Sequence, residues 1–324
     1  MDALWLQFVL TIDATLRVAT PLILCAMAGI FSERSGIIDI SLEGKMLMSA
    51  FTAATVAALT VQPWLALAAA IVVAVFLSLI HGFACITHRG NQVVSGLAIN
   101  ILASGLTVTL GIAIFAQGGQ TPYLSRDSRF QPIDLPFADA IRDLPILGVI
   151  YAEVFSGHNI LVWVALLSVI VTAIVVMRTR FGLRLRAVGE KPEAVDTAGI
   201  SVTTMRYQAV IIAGVLCGIA GAYLSIAHGA GFVREMTAGK GYIALAAMIF
   251  GNWRPLQALY ACLMFGFLDA VAARIQGVDL PIVGEISTDL ILALPYVLTV
   301  IFLAGFIGRA TPPAAIGTPY VKER

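Results

Sequence analysis

Charged side chains are scarce in this sequence. Asp, Glu, Lys and Arg make up 12% of its 324 residues, whereas an average soluble domain carries about 25%. None of the four occurs from Met46 to His88. One membrane crossing needs about 20 apolar residues, so this run is long enough for two crossings with a turn near Gln62 and Pro63. The sequence therefore predicts an integral membrane protein.

Several functional motifs are also missing. The net charge of +1 argues against a nucleic acid partner. The phosphate-binding pattern GxxxxGK[ST] is absent, because neither Gly-Lys pair, at 44–45 and 239–240, is followed by Ser or Thr. The chain also lacks HExxH and GxSxG. We expect no catalytic residue and no cofactor in this chain, and no ATP hydrolysis without partners.

Cysteine and histidine are few, with four of each, and no CxxC spacing occurs. The cysteines all lie in apolar segments, where a thiol behaves as a small hydrophobe. We therefore expect neither a disulfide nor a metal site. The cysteines are Cys25, Cys85, Cys217 and Cys262.

Nine apolar segments predict an all-α fold, a polytopic transmembrane helical bundle of eight or nine crossings in a single domain over residues 1–324. The segment from Gly241 to Gly251 is too short to span a bilayer alone. It either extends back through Lys240 and Arg234 or forms a broken, partly re-entrant helix. The segments are 4–31, 46–61, 64–87, 92–117, 158–177, 207–228, 241–251, 255–273 and 290–308.

The basic residues predict the orientation. Six lie between Arg178 and Arg206, whereas the 118–157 loop has three basic and five acidic residues. Because Lys and Arg accumulate in cytoplasmic loops, we expect the 178–206 loop and the 309–324 tail inside and the 118–157 loop outside.

The pattern Gly-x7-Gly-Lys occurs twice, each time before an apolar run. The first copy runs from Gly36 to Lys45 and the second from Gly231 to Lys240. The predicted topology places the two copies on opposite sides. This arrangement is expected for an inverted-topology repeat of a transporter, although three matching residues also arise by chance.

Polar residues inside membrane segments are candidates for a solute pathway. Gln92, Asn100 and Ser104 lie in or at the edge of the fourth segment. Hydrogen bonding between helices would explain Asn100 equally well. Asp39 and Glu43, in the break after the first segment, are further pathway candidates. Their alternative role is to cap a helix that begins near Ser41, because carboxylates favour helix N-termini.

The long basic loop contains a short predicted helix. Pro192 suits its first turn and Gly199 its end. This helix is either a docking element or part of a solvated, positively charged loop.

Three motifs carry a family resemblance: RAVGEKPEAVDTAGI at 186–200, SERSGIIDISLEGKMLM at 32–48 and GNWRPL at 251–256. The chain resembles permease subunits of bacterial ABC importers in the branched-chain amino acid, ribose and nucleoside superfamily, most closely the nucleoside members. The resemblance implies that the loop contains the helix that docks on the ATPase. Its implied coupling residues are Glu190, Pro192, Ala194, Ala198 and Gly199.

The resemblance also implies partners: ABC ATPase subunits that bind ATP and Mg, a second homologous permease and an extracytoplasmic substrate-binding protein. The location implied is the bacterial cytoplasmic (inner) membrane, in contact with lipid. Nucleosides are the expected cargo, and simple sugars or branched-chain amino acids are the alternatives within the same architecture. An ion-coupled secondary transporter would need a titratable residue deep in the bundle, and a scaffold without transport is a third class.

Overall fold

The computed structural model describes residues 3–136, 148, 151–275, 279–280, 284–285, 297 and 310–322. Its α-helices are α1 (Ala3–Arg34), α2 (Leu42–Thr60), α3 (Pro63–Gly82), α4 (Gln92–Phe115), α5 (Ile160–Arg178), α6 (Arg180–Glu190), α7 (Pro192–Thr197), α8 (Val202–Tyr223), α9 (Lys240–Phe250) and α10 (Pro255–Ile275). Single π-helical turns extend α3 through Phe83–Thr87 and α8 through Leu224–His228. The 118–157 loop contains a 3₁₀ turn at Arg126–Ser128 and a π-helical turn at Tyr151–Phe155.

The strands in the described residues are two residues long. β1 (Pro132–Ile133) pairs antiparallel with β2 (His158–Asn159), and β3 (Asp279–Leu280) pairs antiparallel with β4 (Gly284–Glu285). These ribbons only tie loops together. The fold is helical, as predicted.

Six helices of the described chain are long and apolar enough to cross a membrane: Gln7–Arg34, Pro63–Thr87, Gln92–Phe115, Ile160–Arg178, Val202–His228 and Pro255–Arg274. Eight of the nine predicted segments are helical where the sequence placed them. The ninth, 290–308, lies outside the described residues. Runs without charge therefore located the helices well, because a lipid-exposed helix has no polar face to interrupt its apolar pattern.

Local capping explains several helix starts. The Asn91 side chain accepts the backbone N–H groups of Val93 and Val94, and Asn159 does the same for the start of α5. Pro63 occupies the first turn of α3, where its missing N–H leaves no hydrogen bond unmade.

The helices α1 and α8 form the centre of the bundle. Within their most apolar stretches 78% and 72% of residues are buried, against 22% for α4. Glycines allow close packing around α8: a Cβ on Gly218 would lie 2.6 Å from the Cα of Ile71, and one on Gly221 would lie 2.4 Å from the Met46 carbonyl oxygen. The largely exposed α4 is left to contact lipid or another chain.

The short helix α9 settles one open question. It begins at Lys240, and the preceding residues 229–239 are not helical, so no helix continues back through Arg234. Eleven residues at about 1.5 Å per residue span about half of a bilayer's hydrocarbon core. The segment is thus a broken helix that starts inside the bundle.

The loops sort to two ends of the bundle. At one end Arg34 donates to the backbone carbonyl of Trp253 at 3.0 Å, and the tail residue Ala315 donates to Gly189 at 2.8 Å. At the other end Leu124 donates to Ala230 at 2.9 Å. The basic 178–206 loop and the tail therefore share one end, and the described part of the 118–157 loop lies at the opposite end. That the first end is cytoplasmic stays a prediction.

Candidate functional site

Two interrupted helices meet in the middle of the bundle. The first break (residues 35–41) follows α1 and leads into α2, and the second break (residues 229–239) leads into α9. The two segments with the repeated glycine-lysine spacing are therefore the two helix starts that face each other. Converging helix N-termini are the arrangement in which transporters with inverted repeats bind solute.

Glu43 joins the two starts. Its carboxylate oxygens accept the backbone N–H groups of Gly239 at 2.8 Å and Gly241 at 2.6 Å. The prediction that Glu43 caps the helix beginning near Ser41 was therefore wrong, because this carboxylate caps α9. Two N–H groups and the positive end of the α9 dipole stabilise its negative charge.

Asp39 does not cap α2 either. Its carboxylate forms an ion pair with the Lys45 ammonium at 2.6 Å, and both side chains are fully buried. The Ser41 hydroxyl donates to the same carboxylate. Asp39 and Lys45 hold the first break against the first turns of α2, and a buried charge needs this pairing.

Asn100 of α4 lies where the two helix starts meet. Its Oδ1 accepts the N–H of Gly44 at 2.8 Å, while its Nδ2 donates to the Ile40 carbonyl at 3.0 Å and to the Tyr242 hydroxyl at 2.8 Å. Both of its N–H donors are thus in use. Asn100 therefore connects α4 to the starts of both α2 and α9.

A cavity of about 540 Å³ opens at this junction. Asn100 and Ser104 both line it, so the structure brings these two predicted pathway residues together. The full lining consists of Glu43, Gly44, Leu47, Asn100, Ile101, Ser104, Gly105, Glu235, Gly239 and Tyr242.

Glu235 is a cavity residue that sequence reasoning missed. The Ser104 hydroxyl donates to its carboxylate. Its backbone lies in the left-handed region at φ 54°, as does that of Ala238 at φ 46°, a conformation that disfavours residues other than glycine. Among the described residues, two carboxylates and no basic side chain line the cavity. The scarcity of charge in the apolar segments therefore does not extend to this cavity.

Gln92 lies outside this cavity. Its side chain is buried, and its Oε1 accepts the N–H of Ile38 at 2.6 Å. His81, a second residue that the sequence did not single out, holds the same residue through its Nε2, 3.0 Å from the Ile38 carbonyl oxygen. Gln92 and His81 together fix the backbone of the first break.

The basic loop contains two helices rather than one. The predicted short helix is present as α7, with Pro192 in its first turn and Gly199 after its end at φ 79°. A second helix, α6, precedes it and was not predicted. We call α6 and α7 together the coupling segment.

The residues predicted for ATPase coupling differ in exposure. Pro192 is buried, whereas Glu190, Ala194, Ala198 and Gly199 are exposed. Three of the four exposed positions carry Ala or Gly, and small residues let another surface approach the backbone closely. The geometry thus leaves one face of α7 open.

Comparison with known proteins places the chain among transporter subunits. Residues 11–305 match the family described as branched-chain amino acid transport system / permease component. The chain is 40% identical over 320 residues to the guanosine ABC transporter permease protein NupQ of Bacillus subtilis (strain 168), covering 97% of each chain.

Two further relatives match over nearly their whole length. The nucleoside ABC transporter permease protein NupC of Lactococcus lactis subsp. cremoris (strain MG1363) is 36% identical, over 94% of this chain and 95% of its own. The putative glucose ABC transporter permease protein TsgC13 of Haloferax volcanii is 34% identical, over 96% and 97%.

Proposed function

We propose that nucleosides are the cargo of this chain, which belongs to the branched-chain amino acid transport system / permease component family and is the membrane-spanning subunit of an ABC transporter. The observation that carries the proposal is the cavity between the two helix starts, whose lining offers carboxylates, a hydroxyl, an amide and an aromatic ring but no cation. The names of NupQ and NupC support the same cargo.

The charge of the cavity favours a neutral solute. A branched-chain amino acid is a zwitterion, and the carboxylates of Glu43 and Glu235 could pair with its ammonium. The lining described offers no cation for its carboxylate, which the two glutamates would repel at short range. A nucleoside carries no charge and has several hydroxyl and N–H donors. The second carboxylate oxygen of Glu235 can accept such donors.

Simple sugars are the second candidate, favoured by the name of TsgC13. A sugar is also neutral and rich in hydroxyl donors, so the carboxylates suit it equally well. Tyr242 favours the nucleoside, because this residue lines the cavity and is 43% exposed. An aromatic ring can stack on a flat nucleobase, which a simple sugar lacks.

The importer needs further subunits. We propose that ATPase subunits, which bind ATP and Mg, dock on the exposed face of α7. A second homologous permease would complete the pathway beside the exposed α4, and an extracytoplasmic protein would deliver the cargo. In this arrangement the coupling segment and the tail face the cytoplasm of a bacterial cell, and the chain lies in its inner membrane.

An ion-coupled mechanism is less well supported. Two carboxylates of the described bundle, Asp39 and Glu43, already have partners within the chain, which are Lys45 for one and two backbone N–H groups for the other. A residue that carries a proton or a sodium ion across the membrane must release and rebind it in each cycle.

Deletion of the gene tests the cargo. Cells that lack this chain should lose ATP-dependent uptake of labelled guanosine, adenosine or uridine and keep their uptake of leucine and glucose. Loss of glucose uptake with unchanged nucleoside uptake would contradict the nucleoside assignment and leave the ABC permease assignment intact.

Substitution of Ala194 tests the docking face. Ala194→Trp places a large side chain where close approach is proposed, so it should abolish stimulation of the ATPase in the reconstituted complex while the chain still inserts. Ala194→Ser is the matched control, because it keeps the side chain small. Unchanged ATPase stimulation and transport in the Trp variant would exclude α7 as the docking helix.

A further inference from the structure

We propose that residues 310–322, which we call the strap, fasten the coupling segment to the first break and are required for ATP hydrolysis to drive transport. The inference rests on the proposed coupling role of α7. It assigns a positioning function to a Pro-rich tail that composition alone would leave as a solvated end.

The strap binds the first break through backbone groups. The N–H of Gly317 donates to the Gly36 carbonyl at 3.0 Å. Both glycines have positive φ, 75° and 89°. A Cβ on Gly36 would lie 3.0 Å from the Ala315 carbonyl oxygen, so only glycine lets the two chain segments approach this closely.

The strap binds the coupling segment at adjacent positions. The N–H of Ala315 donates to the Gly189 carbonyl at 2.8 Å, and the N–H of Ala314 donates to the Glu190 carboxylate at 3.2 Å. A Cβ on Gly189 would lie 2.2 Å from the Arg34 carbonyl oxygen. The junction between α6 and α7 is thus held between the end of α1 and the strap.

Glu190 therefore binds the strap as well as lying at the end of α6. The resemblance implied that it takes part in ATPase coupling, and in the structure its carboxylate also holds the strap. Further along, the Lys322 ammonium lies 3.6 Å from the carboxylate of Asp196 in α7. This pair is exposed at its lysine and contributes little by itself.

Arg206 links the strap to the first break a second time. Its side chain is 1% exposed, and its guanidinium donates to the Ser35 carbonyl at 3.2 Å and to the Thr318 carbonyl at 3.3 Å. Burying a cation is costly without hydrogen-bond partners, so these two carbonyls tie both segments to the start of α8.

The contacts form a continuous physical link from the cavity to the docking face. Glu43 lies on the cavity and begins the helix that follows the first break, the break holds the strap, and the strap holds the coupling segment. A rearrangement of the break during solute passage would therefore shift α7, and the ATPase would shift the break in return. Without the strap, α7 keeps only its direct contacts with the bundle.

The test uses the complete importer in proteoliposomes, with uptake of labelled guanosine and ATP hydrolysis measured together. A chain ending at Arg309 should still co-purify with the ATPase and hydrolyse ATP, but should import about tenfold less solute for each ATP, because a segment held by backbone hydrogen bonds loses its position without them. Gly317→Ala keeps the full length and should act in the same direction through its positive φ. Val321→Ala, at an exposed position of the strap, is the matched control.

The outcomes separate the inference from the proposed function. If the shortened chain and Gly317→Ala both import as much solute for each ATP as the wild type, the positioning role of the strap is wrong. The importer function is then unaffected. If the shortened chain does not insert, Gly317→Ala decides alone. No ATP-driven uptake by the unmodified complex overturns both. Loss of ATPase binding in either variant overturns the positioning role, since the strap would then be part of the docking surface itself.

Discussion

Glu43 and Gly241 lie at the beginnings of two helices that enter the bundle from opposite ends, and the Glu43 carboxylate accepts the Gly241 N–H at 2.6 Å. This contact joins residues 198 positions apart in the chain. It brings the two interrupted helices together and leaves the cavity between them. Through this junction Glu43 contributes one of the carboxylates that line the cavity.

Removal of the Glu43 charge should weaken the junction. A Gln side chain has one acceptor oxygen for two N–H groups, and its own NH₂ group would face one of them. We expect Glu43→Gln to lower the free energy of unfolding by about 1.5–3 kcal/mol, the value of a hydrogen bond to a charged group. Thermal unfolding in detergent measures the change, and Asp134→Asn, at an exposed carboxylate, is the control. Equal stability of the two variants would contradict the capping role.

Addition of a methyl group at Gly241 should push the two helices apart. A Cβ there would lie 2.6 Å from the Glu43 backbone nitrogen. We expect Gly241→Ala to destabilise the chain by about 1–3 kcal/mol, typical of an overpacked site, and to reduce solute uptake. Gly118→Ala is matched to it, because nothing lies within 4 Å of a Cβ at Gly118. Similar behaviour of the two variants would show that the helix starts are not in close contact.

The Asp39–Lys45 pair should behave as a buried ion pair. Lys45→Met alone leaves an unpaired buried carboxylate and should reduce stability by about 3–5 kcal/mol. Combining it with Asp39→Asn should recover part of that loss, because no charge then remains. Melting temperatures of the two single variants and the double variant complete the cycle. Strictly additive effects would indicate that the two side chains do not interact.

The orientation in the membrane is accessible to labelling. Cysteines introduced singly at Asp127 and Thr197, both exposed, in a chain without its four buried native cysteines, should react with an impermeant thiol reagent from opposite sides. We expect Asp127→Cys to react in intact cells and Thr197→Cys only after the cytoplasmic side is opened. Reaction of both cysteines in intact cells would contradict the prediction that the two positions lie on opposite sides of the membrane.

The sequence predicted the helices because a membrane span leaves a direct trace, a long run without charge. It also marked both helix starts of the site, since the glycine-lysine spacing falls on them. It could not show that the starts meet. Nothing near Glu43 in the sequence indicates that its carboxylate accepts the backbone N–H groups of Gly239 and Gly241. Any carboxylate near Ser41 fits a local cap equally well.

The strap was beyond prediction for a different reason. In most of its hydrogen bonds to the rest of the chain the strap contributes a backbone N–H or carbonyl group. Every residue except proline provides both groups, so the strap's composition carries no trace of these contacts. Arg206 was counted as a charge of the basic loop, and the structure buries it. Charge counts record how many basic residues a loop has and not which of them fold back into the protein.

The measurement that tests the central claim most directly is guanosine uptake into proteoliposomes that contain this chain and its proposed partners: a second permease, ATPase subunits and a loaded binding protein. Accumulation should require ATP on the ATPase side, and vesicles containing this chain alone should accumulate nothing under a proton or sodium gradient. Guanosine accumulation by the chain alone, driven by an ion gradient without ATP, would contradict an ATP-driven importer.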